Sequence, residues 1–355
     1  MALFDKEQLK KFCQDILMKL NVSHENAEVV SDALVKANLE GIDSHGISRL
    51  VVYSKRLMDN RINPKPNISV KKKGTSVLNV DGDNGLGQIV SYHALNKAFE
   101  MVKETGVAAV GIRNSNHFGT ASYFCQIACE RHLAAIAFTN SPPGIAPWGG
   151  RRAFFGTNPI AFGFPTGNDK PIIIDLSTSV AARGKIILAA KQGESIPDGW
   201  AINEEGNMTN DPNEALQGAV LPLGGAKGSA LALAVEILTG ILTGASFGPH
   251  INNIYQEQSN APANVGHFFI LFDIEKFMPL EQFTQTINLL LHEMKDIPKV
   301  PGVEEIRYPG ERRKRELDKR SSEGISLSKD VQKELIELGD TLNVTFPNPL
   351  VREGK

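Results

Sequence analysis

Val77-Leu78-Asn79-Val80-Asp81-Gly82-Asp83-Asn84-Gly85-Leu86-Gly87 is the stretch on which the fold turns. An apolar run ends in three glycines, and the helical stretch 89–103 follows. That is the local layout of a strand, glycine turn and helix that hold a dinucleotide in a doubly wound sheet. The glycines fall as Gly-x-x-Gly-x-Gly, however, and Gly-x-Gly-x-x-Gly with a following acidic residue occurs nowhere in the chain. A mixed α/β or α+β domain without a standard Rossmann site is therefore expected.

Outward from this stretch, short apolar runs at 107–112, 133–139, 159–164 and 172–176 read as strands, and 121–131 and 180–190 as helices. A hairpin is expected at 200–207. The Gly-Gly-Ala-Lys-Gly turn at 224–228 leads into a long apolar helix ending near Leu242, expected to be buried, and 267–272 reads as one more strand. Before the Pro- and Lys-rich connection 63–74, the chain is helical. Leu9, Phe12, Ile16 and Leu20 form one apolar stripe, and Val30, Leu34 and Ala37 another. The tail is helical again at 283–294 and 331–338, both expected to return onto the N-terminal helices.

A length of 355 residues favours about two domains. The chain is 41% hydrophobic and 22% charged with a net charge of −2, which fits a soluble globular protein and not a nucleic-acid binder. The one dense basic run, 312–320, alternates with acids and reads as a solvated helix face. Cys13, Cys125 and Cys129 fit neither a disulfide framework nor a zinc site, so a reducing cytoplasm is the simplest compartment. The N-terminus lacks a signal-peptide layout, and no stretch approaches the length of a membrane span. His45, His117, His250 and His267 show no metal-ligand spacing, and no metal is expected.

Four segments can carry chemistry. In Asp43-Ser44-His45-Gly46-Ile47-Ser48-Arg49-Leu50, Asp43 or Ser44 is expected to cap a helix running to Met58, after an earlier helix, 27–40, stopped at Gly41. On it His45, Arg49 and Tyr53 share one face, an acid/base group beside a carboxylate clamp. The alternative is a capped helix with surface charges. His117 follows a strand and precedes a helix, where it meets a ligand or bonds its own turn. Asp175-Leu176-Ser177-Thr178-Ser179, followed by Arg183 and Lys185, either holds phosphate or caps a helix, and capping alone explains it. The Lys227 turn binds phosphate or is merely flexible, and its residue order excludes a P-loop.

Taken together, Asp43-Ser44-His45-Gly46, Ser115-Asn116-His117-Phe118-Gly119, Gly156-Thr157-Asn158-Pro159-Ile160, Asp175 to Ser179, Lys227-Gly228 and Pro309-Gly310-Glu311 resemble the malate/L-lactate dehydrogenase family of the second type. The match is dispersed along nearly the whole chain. The resemblance implies a non-Rossmann nicotinamide-binding domain with a largely antiparallel sheet, 74–274, inserted in a helical domain made of 1–73 and 275–355. It implies a homodimer with its active site between domains, NAD or NADP as cofactor with NAD preferred, and a small 2-hydroxy or 2-oxo acid as substrate, of malate, lactate, sulfolactate or ureidoglycolate type.

By the same motifs His45 is the proton donor with Ser44 beside it, although some members give that role to the position of His117. Arg49 holds the substrate carboxylate with Tyr53 on the same face, and Thr157, Arg183 and Gly184 also face substrate. His117, Phe118, Gly119, Thr120, Ser141, Asp175, Leu176, Ser177, Lys227, Gly228, Pro309, Gly310 and Glu311 line the cofactor. Two departures stand out. Lys185 replaces the aspartate that completes a relay in the imino-acid reductases, which favours a ketone over an imine and leaves a cation to stabilise a developing alkoxide. Ala230 stands where relatives carry glycine. The competing readings are a cofactor-free lyase or hydrolase acting on an acidic small molecule, and an anion-binding protein without catalysis.

Overall fold

The computed structural model describes residues 2–167, 171–252 and 261–350, so Met1 and 351–355 of the expected helical segments lie outside it. The strand β1 (Leu3–Phe4) leads into α1 (Lys6–Lys19), started by Asp5 accepting from the Gln8 amide. The helix α2 (His24–Leu39) begins where Ser23 accepts from the Asn26 amide. Their stripes are buried as expected: Leu9, Phe12 and Ile16 on one, Val30 and Leu34 on the other. The expected helix from Asp43 to Met58 is broken. Asp43–His45 is a 3₁₀ turn, and α3 (Arg49–Met58) starts four residues beyond His45. The reason is Asn38, whose Oδ1 accepts from the Ile47 amide at 2.7 Å and whose Nδ2 donates to Asp43 at 2.6 Å. Its amide fills the space beside Gly46, where a Cβ would lie 2.1 Å away.

The central sheet is built from β2 (Ser69–Lys72), β3 (Val77–Asp81), β4 (Val107–Ser115), β5 (Leu133–Thr139), β6 (Ile160–Phe164) and β7 (Ile172–Leu176), with α4 (Gly87–Thr105) and α5 (Ala121–Cys129) between strands. After β7 come α6 (Arg183–Gln192), β8 (Ala201–Ile202), β9 (Met208–Thr209), α7 (Pro212–Gln217) and β10 (Ala219–Val220), which form a small unit around Ile186, Ile196 and Val220. The helix α8 (Ala226–Glu236) runs into a π-helical turn, Ile237–Ile241, before β11 (Val265–Asp273). The chain closes with α9 (Leu280–Asp296), α10 (Glu311–Glu323), β12 (Ile325–Ser326) and α11 (Lys329–Leu342).

The sheet order is β2-β3-β4-β11-β5-β6-β7, and every neighbouring pair is antiparallel except β3 with β4, which α4 joins by a crossover. The opening stretch therefore does form a strand–turn–helix unit. Its glycines serve close packing: a Cβ at Gly82 would lie 2.8 Å from the Asn114 carbonyl oxygen, and one at Gly87 2.2 Å from that of Asn116. They let α4 press against the turn after β4. Behind the sheet Leu95, Val102, Phe124, Ala128 and Phe269 form one core. A second gathers Leu9, Ile16, Leu34 and Leu50 with Ile325 and Leu335 from the tail, and β1 pairs with β12.

Three readings of the sequence are corrected here. The 226–245 helix is not buried all round, since Leu233, Ile241 and Leu242 lie exposed on one side. The α9 helix does not return its apolar face to the N-terminal helices: Leu289 and Leu290 are exposed and only Thr284 is buried. The basic run on α10 is not wholly solvated, because Arg313 and Arg320 turn inward. Among the described residues no helix is long and apolar enough to cross a membrane.

Phe269 is 1% exposed at the middle of the central strand, so Phe269→Ala is expected to cost about 3–5 kcal/mol of stability. Urea unfolding measures it, and a loss under about 1 kcal/mol would contradict this packing.

Candidate active site

The turn after β4 and the 3₁₀ turn after α2 bring two imidazoles together. His45 and His117 stack with ring centroids 5.6 Å apart and 27° between planes. His117 Nδ1 lies 2.6 Å from the Tyr53 hydroxyl, to which Gln88 donates at 3.1 Å. The buried Tyr53 hydroxyl and Gln88 thus back the Nδ1 side of the His117 ring. Tyr53 therefore orients His117. The Ser44 hydroxyl lies 2.9 Å from His45 Nδ1, and Arg49 Nε donates to the Ser44 carbonyl. Of the three side chains grouped on one helix face from the sequence, His45 and Tyr53 both reach His117 and Arg49 bonds the Ser44 backbone, through a turn and a helix rather than one continuous helix.

A charge network closes the floor. Asp175, near the end of β7, accepts from the Ser122 amide at 3.2 Å and pairs with Arg313 of α10 at 3.2 Å. Arg313 also reaches Glu40 and the Ser122 hydroxyl, while Arg320 holds Asp43 and the Asn38 carbonyl at 2.7 Å each. Reading the sequence missed Arg313, Arg320, Glu40, Asn38 and Gln88. The one available signal was that Arg313 and Arg320 lie seven residues apart, on one face of their helix.

To one side, Ser141 Oγ accepts from the Thr157 amide at 3.1 Å, and the Thr157 carbonyl accepts from Thr178. The Leu223 amide donates to the Thr178 carbonyl, which sets the serines of 177–179 beside the glycine turn and Lys227-Gly228. The Pro309 carbonyl accepts from the Ile173 amide, and Gly310 lines a cavity of about 430 Å³ with Glu40, Ile173 and Arg313. Glu311 is taken up by Lys295 at 2.6 Å.

Other expected site residues fall elsewhere. Phe118 is in the core, stacked on the buried His267 at 4.4 Å. Arg183 and Lys185 start α6 on its exposed side, where Arg183 donates to the Leu216 carbonyl and Lys185 lies over the Trp200 ring. Neither touches His45 or His117. Among the described residues no three His, Cys, Asp or Glu side chains gather as a metal site would require.

The sequence profile of the malate/L-lactate dehydrogenase family matches residues 4–336. The chain belongs to that family. It is 41% identical to malate dehydrogenase of Pyrococcus horikoshii, covering 96% of this chain and 95% of the relative. It is 38% identical to L-sulfolactate dehydrogenase of Methanocaldococcus jannaschii, covering 96% and 97%. The solved structure of the sulfolactate dehydrogenase from M. jannaschii superposes with a TM-score of 0.91 at 37% identity, over 98% of each chain. As a member of the malate/L-lactate dehydrogenase family, the chain is a hydroxy-acid oxidoreductase that works with a nicotinamide cofactor.

The donors present fit a dinucleotide. The α8 helix starts at Gly225 without a side-chain cap, beside the exposed Lys227, whereas the first turn of α5 already gives its Ser122 amide to Asp175. Free helix-start amides with a lysine suit a diphosphate. Proton transfer in a dehydrogenase also needs an imidazole in the right state. Burial, then Arg49, pushes His45 down to about 4 despite Asp175. Burial, with His45 and Arg49 adding to it, holds His117 well below the usual histidine range. Both rings are neutral at pH 7, ready to accept a proton.

In the free protein, histidine resonances of His45 are expected to titrate near pH 4, and Arg49→Met is expected to move the midpoint upward because a like charge leaves. A wild-type midpoint at the ordinary 6.5 would refute the desolvated, half-buried setting of His45. Between 6.5 and about 4 the unfolded chain binds the proton that the folded one refuses, so stability falls as pH drops through that window.

Proposed function

We propose that the enzyme reversibly oxidises C2 of a small 2-hydroxy acid to the 2-oxo acid, using NAD or NADP, with His45 as the proton-transfer residue. The observation that carries this reading is the stacked His45–His117 pair with Arg49 alongside. When bound, the nicotinamide accepts or supplies the hydride. Ser141, Asp175, Leu176, Ser177, Lys227, Gly228 and the Pro309–Glu311 turn are the groups that hold the cofactor, with Gly119 and Thr120 at the start of α5.

Arg49 fixes the substrate carboxylate by a two-point contact, and Thr157 faces the same space. Neutral His45 takes the hydroxyl proton in the oxidative direction. In the reductive direction the incoming carboxylate offsets Arg49, which raises the imidazole's proton affinity and lets it donate. His117, oriented by Tyr53, is the second imidazole beside the developing oxyanion. Lys185, exposed at the start of α6 with its ammonium 5.7 Å from the Trp200 ring, is the cation proposed to stabilise a developing alkoxide. Nothing in the site favours a cofactor-free lyase or hydrolase.

The sheet, 74–274, is read as a non-Rossmann cofactor domain and the two chain ends as a helical domain around it. The exposed apolar sides of α8 and α9 support a homodimer, in a cytoplasmic setting.

Purified protein is expected to oxidise NADH or NADPH with at least one of pyruvate, oxaloacetate and sulfopyruvate. His45→Ala should cut kcat by roughly 10²–10⁴-fold while leaving calorimetric cofactor affinity intact, and Arg49→Lys should chiefly raise the substrate KM. Equal loss of turnover and cofactor binding in a folded His45→Ala protein would remove His45 from this role. Light scattering should report a dimer, and a monomer at assay concentration would refute the dimer reading.

A further inference from the structure

We infer that Glu236 is a positioning residue of the active site, whose buried carboxylate holds together the loops that carry Ser141 and Thr157. The inference rests on the roles proposed for those two residues. Glu236 is the last residue of α8 and 2% exposed. Its Oε2 accepts from Asn158 Nδ2 at 2.6 Å, and its Oε1 accepts from the Gly248 amide at 2.7 Å and Asn140 Nδ2 at 3.4 Å. Those three donors come from three separate loops. Among the described residues no lysine, arginine or histidine pairs with it, so hydrogen bonds alone satisfy the carboxylate.

Two of the donors are chain neighbours of site residues: Asn140 precedes Ser141, and Asn158 follows Thr157. Asn140 extends the hub, accepting from the Gly266 amide at 2.9 Å and donating to the Ser246 carbonyl at 2.8 Å. Asn158 is held in a left-handed conformation with φ +36° and also donates to the Ala232 carbonyl at 3.1 Å. The loops are pressed together, since a Cβ at Gly156 would lie 2.3 Å from Ser141 Oγ. The α8 helix changes to a π-helical turn directly after Glu236, a local irregularity that recurs at functional sites. Burial disfavours a carboxylate here and pushes its pKa up. An apolar side chain would fill the volume more cheaply but could not gather three donors from three loops.

Glu236→Gln keeps the shape and turns one acceptor oxygen into a donor, which either faces the N–H group of Asn158 or turns the Asn158 amide over and breaks its bond to the Ala232 carbonyl. The expected result is a rise of about tenfold in both the 2-oxo acid KM and the calorimetric cofactor Kd, with kcat and the pH profile of the histidines little changed. Glu236→Gln combined with Asn158→Asp re-forms the same hydrogen bond with donor and acceptor exchanged, at the loss of the Ala232 contact, and is expected to recover most of both effects. A lowered Tm with KM and Kd unchanged overturns the inference, as does a folded double variant with no recovery. Ser141→Ala and Thr157→Val separate the two levels of argument. If neither changes cofactor affinity or substrate KM, the roles given to Ser141 and Thr157 fail; if they do and Glu236→Gln does not, Glu236 fails alone.

Discussion

His267 ties together the two strands whose ends carry the site. It sits on β11, with Nε2 2.9 Å from the Ser115 hydroxyl on β4 and Nδ1 2.7 Å from the Thr139 hydroxyl on β5. Burial holds it near pKa 3, so the ring is neutral and has one N–H to give and one nitrogen to accept. Because β11 runs antiparallel to both neighbours, β4 and β5 run parallel to each other and leave the sheet at the same edge. Two further antiparallel steps through β6 make β7 end at that edge too, and the parallel β3 joins them. The turns bearing His117, Ser141 and Asp175 are therefore neighbours by topology before any side chain contact is made.

That edge supplies only part of the site, since His45 and Arg49 come from the helical opening of the chain. Charge binds the two parts. From α10, Arg320 fixes Asp43 at the base of the His45 turn, and Arg313 spans Asp175 of the sheet and Glu40 of α2. These pairs are partly buried and are shared among several acceptors, which makes them geometrically specific rather than simply stabilising. A segment more than 260 residues away from His45 thereby sets where His45 stands.

The strands were legible because buried runs bounded by glycine and proline leave little choice. Residues 133–139 and 172–176 are found with the bounds expected for them, and the hairpin at 200–207 pairs as β8 with β9. The purpose of Gly82 and Gly87 was not readable, because it depends on the backbone of Asn114 and Asn116, far along the chain, pressing against them. The 43–58 helix failed for the same kind of reason: a capping pattern is local, and Asn38, outside that stretch, takes over the bonds that would have continued it. Periodicity placed apolar faces on α8 and α9 and said nothing of what covers them. Lys185 was legible as a departure from the relatives' aspartate, but not that its ammonium lies near the Trp200 ring, because Trp200 comes from a separate segment.

The stacked histidines differ in a way that divides their work. His117 is backed at Nδ1 by the Tyr53 hydroxyl, to which Gln88 donates, and both Gln88 and Tyr53 are buried. His45 is held instead by Ser44, whose hydroxyl is at the surface. A proton taken from a substrate hydroxyl must leave again each turnover. A hydroxyl that can both accept and donate, set against Nδ1 at the rim, offers that exit to His45. The same difference divides the pair: His117 is tied to the buried Tyr53 and Gln88, and His45 faces a surface hydroxyl through which its charge changes.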